Sequence, residues 1–234
     1  ALAEALGNPQ SRIPVIHVAG SKGKGSVCAM VSSVLRTAGY RVGLYTSPHL
    51  MSYRERIRFL EPGQLDAPLS GDVFADQISE NDLAVLVARL RPEIKDFEQN
   101  RADLGRLSFF EVFTVMAFHY FVSRQADVIV CETGLGGRLD ATNIAQSEIA
   151  VITPISLEHT SILGATRALI AREKAAIIKP TTYRAVMGPQ DSSAAKVIMQ
   201  RCAQVGVACT MVDINQIESI QIHRTGMTAD ISRR

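Results

Sequence analysis

Apolar residues fall along the chain in two alternating rhythms. Short, nearly continuous apolar runs occupy residues 13–19, 41–46, 127–131, 149–153, 185–187 and 207–212. Runs of this length, bounded by glycine, proline or polar residues, read as strands buried on both faces of a parallel sheet. Between them the spacing changes to three and four. Val27, Met30, Val31, Val34, Leu35 and Ala38 form one helical face that stops at Gly39, a residue suited to the left-handed turn that ends a helix. Leu83, Leu86, Val87, Leu90, Ile94 and Phe97 repeat the rhythm. Pro92 inside that pattern predicts a bent or split helix, because proline lacks an amide and crowds the preceding turn. Ser108 and Glu111 have capping-box spacing ahead of a run to Val122 that is apolar nearly all round, which predicts a largely buried helix. Further helices are predicted over about 166–178 and 193–205. Residues 47–68 show no clear period and read as a long loop with a possible strand at 57–60.

Strands alternating with helices predict a three-layer α/β/α domain around a mostly parallel sheet. The 234 residues are 47% hydrophobic, enough for one core without disulfides or structural metals. The net charge is only +2 and the charges are dispersed, which gives nucleic acid or an anionic membrane no footprint; neither is expected as a partner. Cys28, Cys131, Cys202 and Cys209 form no CxxC pair and sit in apolar stretches, as reduced thiols of a cytoplasmic protein do. No segment approaches the roughly 20 apolar residues of a membrane-spanning helix. The chain begins without Met and ends at Arg233-Arg234 with no recognisable stop to the fold, so the expectation is that 1–234 is one incomplete domain of a longer protein.

The candidate chemistry begins at Gly20-Ser21-Lys22-Gly23-Lys24-Gly25-Ser26, between the first strand and the first amphipathic helix. There the free amides of a helix start and its dipole attract phosphate. Glycines let the backbone close around the anion, Lys24 can reach the outer phosphates, and the Ser26 hydroxyl can join a magnesium shell. Gly20, Gly23, Lys24, Gly25 and Ser26 are therefore the candidate nucleotide-binding residues. The spacing departs from GxxxxGK[ST]: only two residues separate Gly20 from Gly23, and Gly25 precedes Ser26. A glycine turn that binds nothing is the alternative; the strand–loop–helix context argues against it. Glu132 ends an interior strand, on the edge where open α/β sheets bind ligands.

The shortened loop resembles that of the Mur ligase superfamily, and its extra glycine resembles the folylpolyglutamate synthase/dihydrofolate synthase branch. Four further segments agree in order: Tyr45-Thr46-Ser47-Pro48-His49-Leu50 with Arg54-Glu55-Arg56-Ile57; the stretch from Glu132 to Asn143, ETGLGGRLDATN; Glu158-His159-Thr160 with Leu163-Gly164; and residues 171–179, AREKAAIIK. Past about residue 180 the similarity is weak. Lys22, Thr133, Glu158 and Ala176 stand where the family more often has Asn, Val, Asp and Gly. The resemblance implies a Mur ligase central-domain fold, a C-terminal ligase domain outside this chain and a monomer when full length. It implies a ligase that uses ATP and Mg2+ to join L-glutamate to dihydropteroate or to the glutamate tail of a folate through an acyl phosphate.

For individual residues the resemblance implies Lys24, Lys174 and His159 as catalytic, with Lys174 carbamylated. It implies Ser47, Glu132 and His159 as metal ligands, and Ser108, Glu111, Leu139, Asp140 and Ala141 as lining the substrate pocket. Without it, Ser47 starts a turn before proline, His159 is a hydrogen-bonded structural residue, Ser108 and Glu111 cap a helix, and Lys174 belongs to a solvated charged face. His17, His49, His119 and His223 show no ligand spacing; His17 and His119 read as core or near-surface residues. Two other functions stay open: a nucleotide-binding module without catalysis of its own, and a Mur-type ligase acting on a cell-wall precursor.

Overall fold

The computed structural model describes residues 1–63, 74–212, 215, 217–223 and 226–231, the last two stretches as backbone only. A short helix, α1 (Leu2–Ala5), leads into β1 (Val15–Ala19), α2 (Lys24–Thr37), β2 (Val42–Tyr45) and β3 (Ile57–Leu60). Two longer helices, α3 (Glu80–Asn100) and α4 (Phe109–Ser123), precede β4 (Val128–Glu132) and β5 (Ile149–Ile152). Then come α5 (Thr160–Leu163), α6 (Arg167–Ala175), β6 (Arg184–Met187), α7 (Ser192–Val205) and β7 (Ala208–Met211), and finally a hairpin of β8 (Ile217–His223) and β9 (Gly226–Ile231).

Seven strands form one sheet in the order β3-β2-β4-β1-β5-β6-β7. Only β3, paired with β2, runs antiparallel; every other neighbouring pair is parallel. Alternate residues of each strand supply opposite cores, as the pleat requires. Val18, Val42, Leu44, Val128 and Val130 pack under α2 through Cys28. Val15, Tyr45, Ile57, Phe59, Ile129 and Cys131 pack under α3 and α4. Further along that second face, Ala19, Ala150, Ile152, Ala185 and Met187 meet α6 and α7. The result is the expected three-layer α/β/α domain.

The structure corrects the expectation for Pro92: α3 is a single helix through it. Pro92 and Ala88, whose carbonyl loses its amide partner, both face solvent, so water can take the vacated bond. The β8–β9 hairpin, which has an irregular register between Ile217 and Ser219, was not expected at all. Residues 64–68 of the expected loop lie outside the described residues.

The sheet also explains where a site can form. The chain moves from β1 across β4 to β2, and from β4 across β1 to β5, so the connections diverge around β1 and open a crevice at its carboxyl end. Val18 pairs with Glu132, and Ala19 with Ile152. These registers bring Gly20, Glu132 and Thr153 to one edge.

Candidate functional site

Gly20 leaves β1 with φ +153, and a Cβ there would lie 1.8 Å from Thr153 Oγ1 and 3.0 Å from the Thr153 carbonyl oxygen. Only glycine permits so close a passage. The amides of Ser21 and Lys22 are turned inward, donating to the Pro154 carbonyl at 3.1 and 3.3 Å. The part of the loop left open to an anion is therefore the start of α2. Gly23 occupies the N-cap in the left-handed region, φ +80, and no side chain caps the helix. The first-turn amides, which lack intrahelical acceptors, are left for an anion at the positive end of a 14-residue helix. This cradle fits a nucleotide phosphate.

Beside it lies Glu132, 5% exposed. One carboxylate oxygen is 4.0 Å from Lys24 Nζ and the other accepts the Ser47 amide at 3.2 Å. A Cβ on Gly25 would stand 3.6 Å from the same carboxylate. Burial raises the Glu132 pKa, and the Ser47 amide and Lys24 offset this only in part. An undercompensated carboxylate next to a phosphate cradle is a fitting donor for a hard divalent cation. Ser47 comes to Glu132 because Tyr45 pairs with Cys131, and the loop after β2 crosses the end of β4. That loop is pinned by Glu55, whose carboxylate accepts the amides of Leu50 and Met51, each at 2.7 Å, and of Ser52 at 2.6 Å.

Lys174, read from the sequence alone as part of a solvated face, is 1% exposed. Its Nζ donates to the Gly20 carbonyl at 2.7 Å and lies 2.8 Å from Glu158 Oε1. Burial lowers the Lys174 pKa while Glu158 pulls the other way. The longer side chain of Glu158 thus reaches the lysine. Ala176 has φ −66 and ψ −10, a conformation that does not call for glycine. Thr133 Oγ1 is buried without a partner among the described residues, so a valine would serve there as well.

Around the loop after β4 lies a cleft of about 330 Å³ bordered by Ser108, Glu111, Leu139, Asp140 and Ala141, the five residues expected to share a pocket. It adjoins a second cavity of about 480 Å³ that shares Glu111, Leu139, Asp140 and Ala141. Ser108 and Glu111 do form a capping box at the start of α4, so capping and lining coincide. Leu139 is 81% exposed, whereas Asp140 is turned inward and fastens the loop by accepting the Leu135 amide at 2.7 Å and the Thr142 amide at 3.0 Å.

No model of a known protein family matches the chain. It is 39% identical over 175 residues to the dihydrofolate synthase/folylpolyglutamate synthase of Bacillus subtilis, covering 74% of this chain and 37% of that protein. It is 36% identical over 217 residues to the dihydrofolate synthetase of Saccharomyces cerevisiae, covering 91% of this chain and 46% of that protein. A folylpolyglutamate synthase solved with AMPPCP and folate superposes with a TM-score of 0.85 at 35% identity, covering 97% of this chain and 52% of that one. The chain belongs to the folylpolyglutamate synthase/dihydrofolate synthase family. It spans 37% and 46% of the length of the two curated family members it matches here.

Not every expected residue of this synthase family converges. His159 is exposed and sits in the left-handed region, φ 46 and ψ 40, at the N-cap of the four-residue helix α5. Among the described residues no group of three or more His, Cys, Asp or Glu residues is placed to hold a metal ion. His17 is in the core, and His119 is half-buried with Nε2 3.1 Å from the Leu6 carbonyl oxygen. Sequence reasoning gave no role to Thr153 and Pro154, which no spacing rule ties to residue 20, or to Glu55, which it named only within a family-like segment. A signal for Glu55 existed: Ser52 and Glu55 form a capping box with the same S-x-x-E spacing as Ser108 and Glu111. Among the described residues no helix is long and apolar enough to cross a membrane.

Proposed function

We propose that this chain is the nucleotide- and pteridine-binding part of an ATP-dependent ligase. The reaction joins L-glutamate to dihydropteroate, to the glutamate tail of a folate, or to both. The observation that carries the reading is one loop, residues 133–143, that leaves the Glu132 end of the phosphate site and becomes the wall of the adjoining cleft. A phosphoryl donor in the cradle and a carboxylate substrate in the cleft are thereby neighbours. The likeness to a folylpolyglutamate synthase holding AMPPCP and folate supports the same pairing.

In the reaction, a substrate carboxylate takes the γ-phosphoryl group of ATP, and the glutamate amine displaces phosphate from the acyl phosphate to leave an amide, ADP and phosphate. The α2 amides and Lys24 hold and neutralise the phosphates, and positioning with electrostatic stabilisation carries most of the rate. Glu132, with the hydroxyls of Ser26 and Ser47, is the donor set for Mg2+, which when bound neutralises phosphoryl oxygens. Lys174 lies within reach of the Gly20 turn; carbamylation by carbon dioxide, implied by the family, would make it an anion there, and its lowered pKa favours the neutral amine this step needs. Asp140 and the capped start of α4 hold the pteridine end of the substrate.

The second reading is a nucleotide-binding module that needs the remainder of a longer chain for turnover, favoured by the length match of less than half. ADP release assayed with ATP, Mg2+, L-glutamate and either dihydropteroate or tetrahydrofolate, beside calorimetric titration of AMPPCP, separates the two. Binding without release supports the module. Absence of nucleotide binding sinks both readings. The same assay on His159→Ala in the full-length ligase decides whether that imidazole belongs to the site.

A further inference from the structure

His17 stands on β1, wholly buried, and has no part in the mechanism above. Its Nε2 lies 2.8 Å from Thr142 Oγ1, and the Thr142 hydroxyl makes a short hydrogen bond to Asp140 Oδ1. The two Asp140 oxygens also accept the amides of Thr142 and Leu135. Counting protons fixes the direction of this chain. Asp140, with an amide donor on each oxygen, is the acceptor end. Thr142 has one hydroxyl proton and gives it to Asp140, so it meets His17 with a lone pair. His17 must then donate from Nε2–H. A neutral imidazole carries a single N–H, which leaves Nδ1 bare, and Nδ1 is the ring atom that is buried with no partner among the described residues. An imidazolium would strand a second donor in the core. Burial, reinforced by the charge of Lys179, draws the His17 pKa down to about 3, so the ring stays neutral.

We propose that His17 is a positioning residue for the substrate cleft: a fixed Nε2–H imidazole beneath the Asp140-Ala141-Thr142 turn that orients the Thr142 hydroxyl and, through it, the inward-turned Asp140 carboxylate that fastens the loop lining the cleft. The inference rests on reading that cleft as the pteridine site. The arrangement separates the two ligands. His17 Nε2 points at the turn that lines the cleft, while the phosphate cradle is built by Gly20, Thr153 and the start of α2. Losing the imidazole donor therefore weakens substrate capture and spares nucleotide capture.

In the full-length ligase, His17→Leu, of similar volume and without a donor, raises KM for the pteridine substrate roughly fivefold to tenfold, as the loss of one buried hydrogen bond predicts. KM for ATP stays within about twofold, below the scale of one hydrogen bond. His17→Gln, whose amide nitrogen can take the place of Nε2, restores the wild-type value. Nitrogen-15 NMR of histidine-labelled wild-type protein finds the ring proton on Nε2, unchanged from about pH 5 to 8, where an ordinary histidine titrates. Amide exchange at Leu135 and Thr142 quickens in His17→Leu. An Nδ1–H tautomer, an equal rise in both KM values, or a glutamine variant as impaired as the leucine one overturns the proposal. If the ligase turns over neither pteridine substrate, the proposed function fails by itself; tautomer and amide exchange still decide whether His17 holds the turn.

Discussion

Glu132 is placed where stability and chemistry pull in opposite directions. Its pKa is raised chiefly by burial, with Asp140 adding to the rise. A carboxyl whose folded pKa lies above its unfolded one stabilises the fold while protonated, and that contribution is lost as pH rises through the ordinary carboxylate range and past the folded pKa. At neutral pH the ionised group costs the metal-free protein stability, which a bound cation would return. Glu132→Gln keeps an oxygen for the Ser47 amide, which Glu132 accepts at 3.2 Å, and removes the charge. Calorimetry without metal should show a higher Tm, by about 2–4 °C if the relief is about 1 kcal/mol, and Mg2+-dependent turnover should disappear. A lower Tm would mean that the carboxylate is already compensated. Its neighbour offers a simpler case. Thr133 buries a hydroxyl with no partner among the described residues, so Thr133→Val should be neutral or stabilising by up to about 1 kcal/mol in urea unfolding. A loss of stability would mean that the hydroxyl has a partner such as an ordered water.

At the scale of elements, strands and helices were legible wherever one physical signal dominated. Buried parallel strands read as apolar runs, α2 read from its periodicity, and α4 read from Ser108 and Glu111 ahead of a run that is apolar nearly all round. The signal failed where two effects met. In α3 the rule against interior proline yielded because Pro92 faces water. In β8 the register irregularity between Ile217 and Ser219 breaks the strict alternation by which a strand is recognised. The loop after β2 shows how an irregular element is held. Burial alone would raise the Glu55 pKa, but the amides of Leu50, Ser52 and Met51, with His49, outweigh it and the net shift is downward. A depressed carboxylate stabilises above the ordinary carboxylate range, and its contribution is lost as pH falls through the folded pKa below that range. The loop should therefore loosen only in acid. Glu55→Gln, which replaces one accepting oxygen by a donor, should speed amide exchange at residues 50–52 roughly tenfold or more at neutral pH. It should also raise KM for the Mg2+–ATP pair, because the Ser47 amide rides on the same loop. Unchanged exchange would show that the loop is held by other contacts.

For the molecule as a whole, the sequence motifs named the pieces of the candidate site but not their pairing. Lys174 and Gly20 are 154 positions apart, and a charged stretch on a helix gives no sign by itself that one lysine turns inward. The pairing is set by the sheet, whose registers gather the ends of β1, β4 and β5, and by the loop after β4, which is pressed against α6. A Cβ on Gly137 would lie 2.7 Å from the Glu173 carbonyl oxygen and 2.9 Å from that of Lys174, and the next residue, Arg138, donates its amide to the Glu173 carbonyl at 2.9 Å. Those neighbours are helix backbone and cannot swing aside. Gly137→Ala must therefore move the loop or α6, at a cost of about 1–3 kcal/mol typical of overpacking. The displacement reaches both halves of the site, because the loop carries Asp140 and the helix carries Lys174. Calorimetric titration of this variant should show weakened binding of AMPPCP and of the pteridine substrate together, whereas His17→Leu weakens the pteridine alone. If Gly137→Ala binds nucleotide as the wild type does, the loop and α6 are mechanically independent, and the two clefts are neighbours without being coupled.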